Sequence, residues 1–128
     1  MKIPYISAKI ACSKDFFTIS NKKKWITNYK SRKIVHLLRS QNDCIFSTSK
    51  SINIDNSLLN CRINGLNINK PDLVVLDLNL KLKKKLLLNK LLKKRKTFLV
   101  TKKQNSKKAK VYKDLGYKII LINSLENK

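Results

Sequence analysis

Pro71-Asp72-Leu73-Val74-Val75-Leu76-Asp77 is the stretch on which the fold turns. Four apolar residues run unbroken between two carboxylates. A run of that kind suits a strand buried on both faces, as parallel sheets require. Asp77 closes it at the carboxyl end, where open α/β sheets hold their ligands. A turn-forming aspartate is an equally good reading of that residue.

Downstream, Leu78 to Lys96 is rich in Leu and Lys. Its spacing predicts an amphipathic connector helix with Leu87, Leu88, Leu91 and Leu92 inward and the lysines solvated. Thr97 to Thr101 reads as a strand. Asn105 to Leu115 reads as a helix closed by Gly116. Tyr117 to Ile122 reads as a further buried strand.

Upstream, Asn64-Gly65 is a turn signal and Asp55-Asn56-Ser57 an Asx-type turn. Ser47 to Ser51 is a hydroxyl-rich turn after a short strand, Asp43 to Ser47, that is expected to be buried. Tyr29 to Ser40 reads as a helix with Thr27 as its N-cap. Ile34, Leu37 and Leu38 fall at i, i+3, i+4 and are expected to face the core. Arg32, His36 and Arg39 share another face, which is either solvated or anion-binding. Tyr5 to Cys12 alternates apolar and polar residues, the period of a half-buried strand. Strands alternating with helices give an α/β fold with a mostly parallel sheet flanked by helices. Neither GxGxxG nor GxxxxGK[ST] occurs, so the usual dinucleotide and P-loop fingerprints are missing.

The 128 residues suit one domain, and 42% of them are hydrophobic. The net charge is +23, from 30 basic and 7 acidic residues. Such a charge predicts non-specific binding to polyanions that weakens as salt rises. Lys dominates over Arg, and Asn and Ile are abundant, a bias that A/T-rich codons also produce. The three cysteines are far apart and the single His has no CxxC to join it. No metal site is therefore expected. Free, mostly buried thiols in a reducing cytoplasm are expected instead. No apolar run reaches the length of a membrane span, so no membrane association is expected. The amino-terminal stretch reads as a strand rather than a signal peptide.

Several segments together carry a resemblance. They are Pro4-Tyr5-Ile6 with Lys9, Ala11, Ser13 and Asp15; Lys24-Trp25-Ile26-Thr27; and Ser31-Arg32 through His36-x-Leu38-Arg39. Asp43-x-Ile45, Asp55-Asn56-x-x-Leu59-Asn60-Cys61-Arg62 and Leu73-Val74-Val75-Leu76-Asp77 complete the set. In this order and spacing the chain resembles the reductase domain of the riboflavin-biosynthesis deaminase–reductase family. The resemblance runs from Pro4 to about Ile122 and implies a dihydrofolate-reductase-like fold. It implies NADPH-dependent reduction of 5-amino-6-(5-phosphoribosylamino)uracil to its ribitylamino form. It also implies that Trp25, Ser51 and Asp55 contact the cofactor, and that Arg39, Leu59 and Arg62 hold the phosphoribosylamino-pyrimidine.

The departures fall at small or turn-forming residues. Phe16 stands for the Gly of a Ser-x-Asp-Gly turn, Thr48-Ser49-Lys50 for a Gly-rich or small-residue turn, and Lys23 for a Ser. Ser57 stands for a Pro and Leu78 for a Ser. The family continues into a Val-Glu-Gly-Gly segment that this sequence lacks. A single reductase-like domain over 1–128, truncated and incomplete, is therefore expected. Neither His-x-Glu nor Pro-Cys-x-x-Cys occurs, so no deaminase domain is expected. A homodimer or a complementing chain would complete the site. Two other readings compete: a small basic RNA-binding, ribosome-associated protein, and an inactive remnant.

Overall fold

The computed structural model describes residues 3–18, 26–66 and 71–123. The chain divides into two compact units, Met1–Val35 and His36–Lys128. Its helices are α1 (Tyr29–Gln41), α2 (Ser49–Asp55) and α3 (Ser106–Leu115). Its strands are β1 (Cys44–Thr48), β2 (Asp72–Leu76), β3 (Thr97–Lys102) and β4 (Lys118–Ile122).

The four strands form one sheet in the order β1-β2-β3-β4, and every pairing is parallel. Each strand is displaced one place from the last in the same direction. With right-handed crossovers, all three connections then lie on one face. That face is the core. Leu73, Val75 and Leu99 project into it and meet Ile52 of α2, Leu82, Leu86, Leu88 and Leu92 of the connector, and Tyr112 and Tyr117. The two tyrosine rings pack edge to face at 5.9 Å and 81°. Their hydroxyls are satisfied, Tyr112 donating to the Leu82 carbonyl and Tyr117 to Asn89 Oδ1. Burial in β2 alternates rather than being continuous: Leu73 and Val75 are buried, while Val74 and Leu76 on the other face are only half-buried.

Two expected elements differ. The connector is not an amphipathic helix; its one helical segment is a short 3-10 piece, Leu87–Leu91. Polar side chains claim its backbone instead. Asp77 accepts from the amides of Lys81 and Leu82. Asn53 donates to the Lys81 carbonyl and accepts from the Lys83 amide, and Asn56 accepts from the Leu87 amide. Groups bonded this way cannot close i→i−4 helical bonds. Leu88, Leu91 and Leu92 still face inward, but Leu87 is 43% exposed. Residues 5–12 form no strand, and Ile6 and Ile10 are exposed. Alternation supplies one apolar face but no hydrogen-bonding neighbour.

Helix α1 has the expected extent, but its cap is Asn28, whose Oδ1 accepts from the Ser31 amide, rather than Thr27. Ile34, Leu37 and Leu38 are exposed rather than inward. In α2, Thr48 is the N-cap and accepts from the Ser51 amide, while Asn56 closes the helix in the left-handed region. Gly116 ends α3 at φ 110°, as its position after Leu115 predicts. The cysteines are free, but only Cys61 is buried; Cys12 and Cys44 are exposed. No helix of the described residues is long and apolar enough to cross a membrane.

In the first unit, Ser13 to Phe17 forms a closed turn. Ser13 Oγ donates to Asp15 Oδ1 at 2.5 Å, and the Ser13 amide donates to the Phe17 carbonyl at 2.8 Å. Phe16 sits at φ 65°, a left-handed conformation that costs a side-chain-bearing residue about 1 kcal/mol. The turn thus keeps a shape suited to glycine while carrying Phe. Phe16→Gly is expected to slow hydrogen exchange of the Phe17 amide roughly fivefold, the equivalent of about 1 kcal/mol. Unchanged exchange would show that the turn carries no such strain.

Candidate functional site

The site is built on the segment Leu58 to Arg62. It belongs to no helix or strand, and Leu59 adopts φ 49°, an unfavourable left-handed conformation for leucine. Arg95 holds it there. Its Nη2 donates to the Leu58 carbonyl at 2.6 Å, and its Nη1 donates to the Leu59 and Pro71 carbonyls at 2.7 and 3.1 Å. Arg95 is only 6% exposed. Burial, then the charge of Arg39, brings it down to about 10, with Asp72 acting the other way. It stays charged at neutral pH and uses that charge on three carbonyls, the multiple-donor task that guanidinium geometry suits.

From His36 onward, α1 docks on the same segment through its polar face. The Asn60 carbonyl lies 3.1 Å from His36 Nδ1 and accepts from Arg39 Nη1, also at 3.1 Å. Positions 36 and 39 lie opposite the 34/37/38 row on a helix. Docking through the former leaves Leu37 and Leu38 exposed. Arg62 lies beside the same imidazole, with Nη2 3.4 Å from Nε2. Burial first, then Arg39 and Arg62, lowers the His36 pKa, so the ring is neutral at pH 7. The Arg62 backbone amide also donates to Nδ1 at 3.2 Å, so Nδ1 faces both the Asn60 carbonyl and the Arg62 amide while Nε2 faces the Arg62 guanidinium. His36 is therefore a strut between helix and segment rather than part of a solvated face.

Arg39 and Arg62 thus stand on either side of one imidazole. Burial and then Arg62 lower the Arg39 pKa, a mark of like charges held close. Among the described residues neither is ion-paired to a carboxylate. Leu59, third of the residues assigned to substrate, lies in the same segment and packs its side chain partly against the core.

The residues assigned to the cofactor lie elsewhere. Ser51 and Asp55 are exposed and sit at i, i+4 on one face of α2. That helix starts at the carboxyl end of β1. Ser51 Oγ lies 3.2 Å from Thr48 Oγ1. No contact among the described residues joins this pair to the arginines. Trp25 lies outside the described residues. Asp77 is not available to a ligand: it is 3% exposed and accepts from Ser49 Oγ and from the amides of Lys81 and Leu82. It is the turn-forming aspartate.

One residue of this arrangement, Arg95, has no place in the sequence reading, and His36 was placed only on a face read as solvated or anion-binding. Arg95 sits in Leu91-Leu92-Lys93-Lys94-Arg95-Lys96, where it looks like one more solvated cation. A cue existed: a chain that spends nearly all its positive charge as Lys places Arg where a fork is needed. His36 had a positional cue only.

A parallel α/β sheet and an arginine pair beside a strained loop make up the candidate site. A family model described as the RibD C-terminal domain matches residues 4–126, and the chain belongs to that family. Over 74 residues it is 42% identical to riboflavin biosynthesis protein RibD of Buchnera aphidicola subsp. Baizongia pistaciae (strain Bp), a match over 56% of this chain and 20% of the relative. Acinetobacter baumannii RibD, form 1, has a similar fold, with a TM-score of 0.72 at 21% identity over 91% of this chain and 32% of that one. A Thermotoga maritima diaminohydroxyphosphoribosylaminopyrimidine deaminase/5-amino-6-(5-phosphoribosylamino)uracil reductase gives 0.53 at 17% identity, over 88% and 34%. The matches span about a fifth of the curated relative and about a third of each solved chain. The α/β fold is that of the RibD structures, as the resemblance implies.

Proposed function

We propose that this chain binds NADPH and 5-amino-6-(5-phosphoribosylamino)uracil in the cytoplasm and reduces the sugar to its ribityl form, a step of riboflavin biosynthesis. The observation that carries this reading is the Arg39–Arg62 pair. Two guanidinium groups flank a neutral imidazole with no carboxylate ion-paired to either among the described residues. A phosphate dianion would supply the missing charge and match the planar forks. Family membership supplies the reaction class.

The residues at hand fit a nicotinamide dinucleotide in part. Asp55 offers an exposed acceptor-only carboxylate, which suits sugar hydroxyls and repels phosphates. Ser51 adds a hydroxyl on the same face, and Trp25 is the aromatic contact that the resemblance implies. The bound cofactor supplies the hydride. The chain's own contribution is orientation. Arg95 fixes the loop, the loop fixes Arg62 and Leu59, and the arginines hold the phosphate so that the sugar carbon is presented in one pose.

Titration of the purified protein with NADPH at moderate salt tests this reading. Saturable binding, weakened roughly tenfold by Asp55→Ala, is expected, as loss of a charged hydrogen bond would produce. Substrate-dependent loss of nicotinamide absorbance should follow. Absence of saturable binding would overturn the cofactor assignment.

A further inference from the structure

A depression of about 360 Å³ opens at the amino edge of the sheet, away from Ser51. Asp72, Thr97 and Lys118, the first residues of β2, β3 and β4, line it together with Leu92 to Lys96 and Gly116. In a parallel sheet all strands start on one edge, so the topology brings these positions together. The lining holds Lys93, Lys94, Lys96, Lys118 and Arg95 against the single carboxylate of Asp72. Asp72 is also engaged, accepting from the Lys96 amide at 3.2 Å. Lys118 extends over the Phe98 ring, 5.8 Å from its centroid.

Two residues of the lining are buried and incompletely satisfied. Thr97 is 1% exposed and its Oγ1 has no hydrogen-bond partner, and Arg95 Nε likewise has none among the described residues. Arg95 turns its Nη atoms to the 58–59 and 71 carbonyls and has no ion-paired counterion among the described residues. A buried charge held this way gains from an anion placed nearby. Gly116, held at φ 110° by the end of α3, adds no side chain to the rim.

We propose that this depression is a second anion site, distinct from Arg39–Arg62, and that it takes a small oligophosphate such as inorganic pyrophosphate. The volume lies in the range of small-ligand pockets, and its lining carries five cations against one carboxylate. Four lysines and Arg95 line it, enough positive charge to offset two linked phosphates. The lysine ammoniums act as point charges, so the site selects charge density rather than a planar shape.

The test is a nuclear magnetic resonance titration of the full chain with pyrophosphate at physiological ionic strength. Three double variants accompany the wild type. Lys96→Glu with Lys118→Glu alters the depression. Lys107→Glu with Lys110→Glu alters net charge equally from the exposed face of α3. Arg39→Met with Arg62→Met removes the other cation pair. All six side chains lie outside the core, and retained amide dispersion verifies folding. Saturable shifts at the Lys96, Thr97 and Lys118 amides are expected. Affinity should fall about tenfold or more in the first variant and by less than about threefold in the other two, as local charge contacts imply. Equal weakening by the α3 variant would reduce the effect to net charge and overturn the proposal. So would loss in the Arg39/Arg62 variant, which would place pyrophosphate at the other cluster. Unsaturable shifts, or saturation by single-stranded RNA but not by pyrophosphate, would overturn it as well.

Discussion

Arg95→Met is expected to destabilise the larger unit by about 3 kcal/mol, from the loss of three charge-assisted hydrogen bonds offset by recovered desolvation. The two opposing effects can be compared. Removing the cation relieves its burial and its repulsion with Arg39, which alone would favour the variant. Methionine fills the aliphatic stem's space but leaves the carbonyls of Leu58, Leu59 and Pro71 without their donor. Leu59 also loses the restraint that keeps it at φ 49°. Orphaned carbonyls and a released strained residue outweigh the gain. Urea unfolding should show a lower midpoint at unchanged slope. Amide exchange of Asn60 to Arg62 should rise more than that of β3. A loss below about 1 kcal/mol, the level of one ordinary hydrogen bond, would show that the clamp is not needed.

Asp77→Ala is the second large effect, about 3 kcal/mol of lost stability. Its carboxylate, 3% exposed, gathers Ser49 Oγ–H at the start of α2 and two connector amides. Alanine leaves the Leu82 amide buried with no acceptor, and Leu82 itself is a core residue. Asp77→Asn keeps one acceptor oxygen and should cost roughly half as much. Ser49→Ala, which removes a single donor, should cost about 1 kcal/mol. Thermal or urea unfolding of the three variants gives the order. If Asn cost nothing in stability yet abolished ligand binding, Asp77 would be a ligand residue and the turn-forming assignment would be wrong.

These two residues also show what could be read from sequence. The strands were legible because Asp72–Leu76, Thr97–Thr101 and Tyr117–Ile122 are short β-rich runs bounded by polar or turn residues. Helix α3 was legible from Gly116. The connector was not, because its leucines have helical spacing while its backbone is claimed by Asp77, Asn53 and Asn56, residues distant in sequence. The outward turn of Leu37 and Leu38 was equally hidden. It depends on one carbonyl, that of Asn60, drawing the opposite face of α1 inward. At the site, Arg39 and Arg62 carried a phosphate reading because two arginines flanked a segment with family likeness. Arg95, which positions them, was masked by the lysines around it.

The central claim is that Arg39 and Arg62 bind the substrate through its phosphate. Calorimetric titration with 5-amino-6-ribitylaminouracil and with its 5′-phosphate tests it most directly, using wild type and the Arg39→Met, Arg62→Met double variant. The phosphate should tighten binding to the wild type about a hundredfold, the worth of two charge-assisted contacts of roughly 1.5 kcal/mol each. That gain should vanish in the double variant, whose affinity for the unphosphorylated compound should be unchanged. A wild type indifferent to the phosphate, or a gain that survives loss of both arginines, would contradict the account.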